Sequence, residues 1–248
     1  MTEQSKTSLF LVTRPALQAE RFGQALTARF GPLVEVIYSP LLTPRLLDRK
    51  LPKQMFEGVI FSSQTGVQAF AQMGTRDKLA KGAIAWCVGD QTAQEAEKLG
   101  LKAISAAGDG QDLVDLILRN RGRGPLIHLR GADQRGNLAQ MLTNCGTKTT
   151  ALVVYSQDPQ PLTHEACIAL SGTETVYLPL FSPRSAQIAV QEYQKLKDPA
   201  PVVIAALSSS VALECGGFGG ARLHIAARPD LAAMVDVLAD LVTQKDRP

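Results

Sequence analysis

The chain contains one order of elements twice. Residues 9–118 and 126–241 repeat it at a spacing of about 120 residues. The first copy runs LFLVTRP, then FEGVIFSSQTGVQAF, GAIAWCVGDQTAQEAEKLG and GDGQDLVDLIL. The second runs PLIHLRG, then TETVYLPLFSPRSAQIAV, PVVIAALSSSVALECGG and RPDLAAMVDVLADL. Most of these blocks read as a short apolar strand, a small polar turn and an amphipathic helix. Strands that alternate with helices specify parallel sheets covered on both faces. The expected architecture is therefore two similar parallel-sheet α/β domains of the doubly wound type with a cleft between them.

Two Pro-flanked stretches divide the chain, SPLLTP near residues 39–45 and SQDPQP near 156–162. Cutting there predicts a discontinuous first domain, 1–40 plus 158–248, and an inserted second domain, 41–157. Two segments would then cross between them as a two-stranded linker. Helical spacing after Pro15 picks out Leu17, Arg21, Phe22, Ala25 and Leu26 as one face, and the tail TQKDRP reads as frayed.

Composition narrows the function classes. At 248 residues with 45% apolar and 20% charged side chains, each half can bury its own core. The net charge of +3 comes without a Lys/Arg run interleaved with aromatics, so nucleic acid is not an expected partner. No apolar run approaches the roughly 20 residues of a membrane span, and MTEQSKTSLF lacks the apolar core of a signal peptide. Cys87, Cys145, Cys167 and Cys215 stand singly, as reduced thiols of a cytoplasmic protein do. His128, His164 and His224 are far apart, and no metal site is expected.

Chemistry should sit where strands end and helices begin. Free N–H groups and the helix dipole hold anions there. Six such junctions are small and polar: Thr13–Arg14–Pro15, Ser62–Ser63, Gly89–Asp90–Gln91–Thr92, Arg130–Gly131, Ser182–Pro183–Arg184–Ser185 and Ser208–Ser209–Ser210. Plain helix capping explains any one of them; six facing one cleft would make a multi-point anion receptor. Arg14, Arg130, Arg135 and Arg184 are at strand ends or helix starts. Tyr155 ends a strand, where it either packs or presents a phenol as a weak general acid. GxGxxG, GxxxxGK[ST] and GxSxG are all absent, which counts against nucleotide and hydrolase readings.

These pieces resemble the uroporphyrinogen-III synthase family over nearly the whole chain. The likeness rests on the order and spacing of LVTRP, VIFSSQTGVQAF, VGDQTAQEAEKLG, LRGADQRGNLAQML, VVYSQ and FSPRSA. It implies cyclisation of linear hydroxymethylbilane to uroporphyrinogen III, with loss of water and inversion of the terminal pyrrole ring, and no cofactor. The substrate so implied is a small linear tetrapyrrole with eight carboxylates, handled by a cytoplasmic monomer. By the same resemblance, Tyr155 is the catalytic proton donor. Arg14, Ser62, Ser63, Thr92, Arg130, Ser182, Ser185 and Ser210 are the substrate-binding residues. One departure is visible: Ser208 stands where the family has a glycine matching Gly89, and Val211 where it has a threonine matching Thr92. The competing reading is a non-catalytic module of the same shape that binds or senses an anionic metabolite.

Overall fold

The apolar runs become strands, and each small polar junction starts a helix. The computed structural model describes residues 7–120, 122–133 and 136–245. Strands β1 (Ser8–Val12) and β2 (Val34–Tyr38) flank α1 (Ala16–Phe30), and β3 (Leu42–Leu46) follows. Next come β4 (Phe56–Phe61), α2 (Gln64–Met73), β5 (Leu79–Cys87), α3 (Asp90–Lys98), β6 (Lys102–Ser105) and α4 (Gly110–Arg119). Then follow β7 (Leu126–Gly131), α5 (Leu138–Asn144) and β8 (Thr149–Pro159). The chain finishes with α6 (His164–Leu170), β9 (Val176–Leu180), α7 (Pro183–Tyr193), β10 (Val202–Ala206), α8 (Ser209–Ala212), β11 (Arg222–Ile225) and α9 (Leu231–Lys245).

The chain divides into two compact units, Met1–Thr43 with Pro159–Pro248 and Pro44–Asp158. We call them the split unit and the inserted unit. The split unit carries a five-stranded sheet in the order β11-β10-β9-β1-β2. The inserted unit carries a six-stranded sheet, β3-β8-β7-β4-β5-β6. Every pairing from β11 to β2, and every one from β8 to β6, is parallel. Without β3 the two orders are the same, provided the split unit is read from β9 through β11 and on to β1 and β2. The repeat in the sequence is thus one fold, circularly permuted in the split unit. In both sheets the strand order reverses once, between β9 and β1 and between β4 and β7. That reversal point is where open parallel sheets bind ligands.

Both sheets are covered on both faces, as strands of unbroken apolar sequence require. In the split unit Phe10 and Val12 pack with Phe22 and Leu26 of α1 and with Met234 and Leu238 of α9. Leu11, Leu178 and Ile204 face the opposite layer of α6, α7 and α8. In the inserted unit Val59, Phe61, Ala85 and Ile127 pack under α2 and α3, while Ile60, Trp86 and Leu126 pack under α4 and α5. Each fully buried Leu, Ile or Phe contributes about 1.5–3 kcal/mol of transfer free energy.

The two stretches read as a two-stranded linker hold strand, β3 at an edge beside β8, which runs on to Pro159; two expectations about helices change. Pro44 is tolerated because an edge strand leaves one row of its backbone groups unpaired, and Arg45 Nε adds a 2.6 Å ion pair to Asp158. The buried stripe of α1 is Ala19, Phe22, Gly23 and Leu26, and Leu17 is half exposed. Tyr38 lies on Gly23, where a β-carbon would meet its hydroxyl at 1.9 Å. The last helix continues through Lys245, into the tail read as frayed. Among the described residues, no helix is long and apolar enough to cross a membrane.

The cysteines form no disulfide with one another. Burial pushes the Cys87 thiol up to about 12 and the Cys215 thiol to about 11, so both are inert thiols at neutral pH.

Candidate active site

In the inserted unit, β4 ends in Phe61 and the chain turns through Ser62 and Ser63 into α2. Ser63 caps that helix: its backbone is extended, and its Oγ accepts the Gly66 N–H at 3.3 Å. Gly66 lets α2 approach β7 closely: a β-carbon there would stand a tight 3.0 Å from the Leu129 carbonyl. The same Ser63 Oγ is 2.8 Å from the Tyr155 hydroxyl.

Tyr155 reaches that serine because of an irregularity in β8. Arg130 pairs with Val153, but the next residue, Gly131, pairs with Tyr155. One extra residue, Val154, is accommodated in β8. In a regular strand side chains alternate, so with Val154 under α2 and α3, Tyr155 would face the other side. The bulge reverses this, and both residues join the same buried cluster. The ring then lies directly over Gly131, where a β-carbon would meet it at 2.7 Å. Tyr155 is 8% exposed, with its phenol delivered to the start of α2.

A pocket of about 460 Å³ opens at this end of the sheet, lined by Ser62, Val88, Asp109, Asp133, Tyr155 and Gln157 among others. Asp109 caps α4, accepting N–H bonds from Gln111 and Asp112 at 2.7 and 3.1 Å, while the Asp112 carboxylate takes the Asp109 N–H at 2.8 Å. Two acidic residues, Asp109 and Asp133, thus line the same pocket as Tyr155. His128, on β7, is 1% exposed, with its Nε2 3.4 Å from Ser62 Oγ. Burial first, and the Arg130 charge second, pull its pKa down to about 4, so the imidazole is neutral at pH 7. Arg130 turns its Nη1 to the Gly131 carbonyl at 3.1 Å.

The split unit presents different chemistry at its own reversal point. Arg14 follows β1, and its guanidinium stacks 4.0 Å over the Phe181 ring at the end of β9. Its Nη2 donates to Gln18 at 3.0 Å, while its Nε is buried without a partner. Burial lowers its pKa to about 10, which leaves it charged. Ser182 caps α7, its Oγ accepting the Ser185 N–H at 3.1 Å and bonding the Ser185 hydroxyl at 2.8 Å.

The sequence-selected residues thus fall into two groups. Tyr155, Ser62, Ser63 and Arg130 gather at the end of the inserted unit's sheet; Arg14, Ser182 and Ser185 gather at that of the split unit. Ser185 is 8% exposed and serves the cap. Ser210 is exposed on α8 and bonds Ser208 at 2.9 Å. Thr92 is buried at 7%, and Val211 occupies the matching inward place at 1%. Ser208 replaces Gly89 without strain, since both positions are extended, at φ −160° and −130°. Arg135 lies outside the described residues.

Sequence reasoning missed Asp109, Asp133, Gln157 and the placement of His128. The Gly108–Asp109–Gly110 turn is visible in the sequence as a loop before a helical pattern. Asp109 followed by Asp112 three residues later is the pattern that marks a reciprocal cap.

Comparison with known proteins agrees with the fold. The family described as Uroporphyrinogen-III synthase HemD matches residues 23–236. Uroporphyrinogen-III synthetase of Helicobacter pylori superimposes with a TM-score of 0.63 at 18% identity, over 95% of this chain and 99% of that one. A mutant uroporphyrinogen III synthase of the extremely thermophilic bacterium Thermus thermophilus gives 0.50 at 15% identity, over 97% and 100%. A search of curated protein sequences gives no match. At these identities the two structures speak for the shared fold, and the family match covers most of the chain: this protein belongs to the uroporphyrinogen-III synthase HemD family.

Proposed function

We propose that the chain closes hydroxymethylbilane to uroporphyrinogen III in haem biosynthesis and that the Tyr155 pocket is where the hydroxyl leaves. The observation that carries the pocket assignment is the Tyr155 phenol, held 2.8 Å from the Ser63 cap. The phenol donates its proton to the leaving hydroxyl oxygen. The carbon–oxygen bond breaks, its electron pair goes to oxygen, and water departs. The phenolate left behind sits at the N-terminus of the ten-residue helix α2 with the Ser63 hydroxyl as donor, and both stabilise it.

The cation left on the tetrapyrrole faces a rim carrying Asp109 and Asp133, whose charges favour it. The substituted carbon of the terminal ring then attacks. Its bond to the original bridging methylene breaks, which restores that ring and leaves the cation on the methylene of the neighbouring ring. The unsubstituted α-carbon of the terminal ring, now inverted, bonds to that methylene. The proton it loses returns to the phenolate, so the balance is loss of one water. Positioning does most of the remaining work, since holding the ends together replaces a large entropic cost.

The substrate's carboxylates suit other groups. Arg14, with its buried unpartnered Nε, and the Ser182 turn supply a cation and donors in the split unit. Ser62, Arg130 and Ser210 add further donors, whereas Thr92 and Ser185 act through packing and capping. We take the protein as a cytoplasmic monomer that does not bind nucleic acid; the mild net charge and unpaired cysteines support that. Family membership favours turnover over a purely binding role.

The test is to supply freshly made hydroxymethylbilane and separate the oxidised porphyrin isomers. Type III product above the spontaneous type I background is the expected result. Type I alone would remove the proposal.

A further inference from the structure

His128 is an odd residue for its place. It is on β7, in the middle of the inserted unit's sheet, between β4 and β8. Its neighbours Leu126, Ile127 and Leu129 are fully buried apolar residues, and it is 1% exposed itself. A leucine or isoleucine would continue that run without burying a polar ring. Packing alone does not account for a histidine here.

Its hydrogen bonds are lopsided. Nε2 is 3.4 Å from Ser62 Oγ, and Nδ1 is buried with no partner. A neutral imidazole carries one N–H, on one nitrogen or the other. A proton on Nδ1 would be a buried donor with nothing to accept it. A proton on Nε2 leaves only an acceptor lone pair unmet at Nδ1, and buried orphan donors are the rarer and costlier defect. The Nε2–H form is therefore favoured, and its acceptor is Ser62 Oγ.

That choice fixes the serine. Ser62 has a single hydroxyl proton, and the lone pair facing His128 is taken. The proton must point elsewhere, and Ser62 lines the pocket. The adjacent Ser63 is held separately by Tyr155. The two serines of one turn are thus oriented by two different strands, one toward the phenol and one toward the pocket.

We infer that His128 is a positioning residue, donating from Nε2 to Ser62 Oγ so that the Ser62 hydroxyl is presented to the pocket as a donor for an acceptor group of the substrate, a carboxylate oxygen above all. This rests on the reading that the Tyr155 pocket takes the tetrapyrrole.

Two measurements test it together. Long-range ¹H–¹⁵N imidazole spectra of the ligand-free protein report the tautomer directly. The Nε2–H form is expected, and an Nδ1–H form would overturn the inference. In steady-state assays with hydroxymethylbilane, Ser62→Ala and His128→Leu should each raise KM about tenfold with a smaller change in kcat, the loss of one donor to a charged acceptor. The double variant should be no worse than either single variant. His128→Gln, whose amide nitrogen can occupy the Nε2 position, should restore most of KM. Additive losses in the double variant, or an unchanged KM in His128→Leu, would overturn the inference; melting curves identify any variant that has failed to fold. A wild-type protein that makes no type III product would sink the reading of the pocket and with it the substrate role of Ser62. The tautomer spectrum would still decide the hydrogen bond.

Discussion

The two units share a strand order, yet the ends of their sheets carry different side chains. In the split unit β1 and β2 pair in unbroken register from Ser8 to Val12, and the reversal point carries a charged arginine on an aromatic ring. In the inserted unit the register between β7 and β8 slips by one residue, and a phenol arrives on a helix N-terminus. One inserted residue in one strand separates a sheet end that carries Arg14 from one that carries the Tyr155 phenol. A duplicated scaffold can specialise at its loops and strand ends while both cores keep the same layers.

Acid should separate the units most strongly. His128 has a folded pKa near 4, below the unfolded value of about 6.5. The unfolded state therefore binds more protons in that window, and stability falls as pH drops from about 6.5 toward 4. The full loss is roughly 3 kcal/mol. The matching strand of the split unit is apolar through Phe10, Leu11 and Val12. Hydrogen exchange at pH 7 and pH 5 should show protection falling in β4 and β7 and holding in β1 and β9. Equal losses in both would show that His128 is not the source, and His128→Leu should flatten the slope.

Gly131 is the steric hinge of the comparison. Gly131→Val would drive a side chain into the Tyr155 ring and displace the phenol, with kcat falling about 100-fold. Gly89→Ser, at a turn with nothing within 4 Å of a β-carbon, should leave kcat unchanged, since the backbone there is extended as it is at Ser208. A Gly131→Val enzyme with normal kcat would mean that Tyr155 need not be held where it is.

Much of this was legible in the sequence, and what was not has a common cause. Strands β1, β4, β5, β7, β9 and β10 announce themselves as apolar runs, and the Ser63 and Ser182 caps follow from a polar residue before a helical pattern. The bulge at Val154 does not, because it is a relation between two strands rather than a property of either. The same holds for β3, which pairs despite Pro44, and for Thr92, a good polar candidate that turns inward. Ser185 read as a ligand donor and proves to be tied to its own cap. Local rules place elements well; which way a side chain faces depends on partners far away in the chain.

Arg14 sharpens the comparison from the other side. Arg14→Leu should raise KM at least tenfold with kcat nearly intact, since it removes a charge from binding and not from the reacting pocket. Steady-state kinetics will show whether kcat falls instead, which would give the split unit a share in the chemistry. The smallest contrast is between the two caps. Ser63→Ala and Ser182→Ala should each cost about 1 kcal/mol in urea unfolding. Only Ser63→Ala should also lower kcat, by about tenfold, because only Ser63 holds the phenol.

The most direct measurement is the isomer ratio and rate for Tyr155→Phe against wild type, with fresh hydroxymethylbilane. The substitution removes one oxygen from a side chain whose ring stays packed over Gly131, so the fold should melt as wild type does. The account predicts that type III formation falls by about 10²- to 10⁴-fold, the range for a lost general acid, while tetrapyrrole binding persists. Type III product at the wild-type rate would contradict it and move the proton donor away from this pocket.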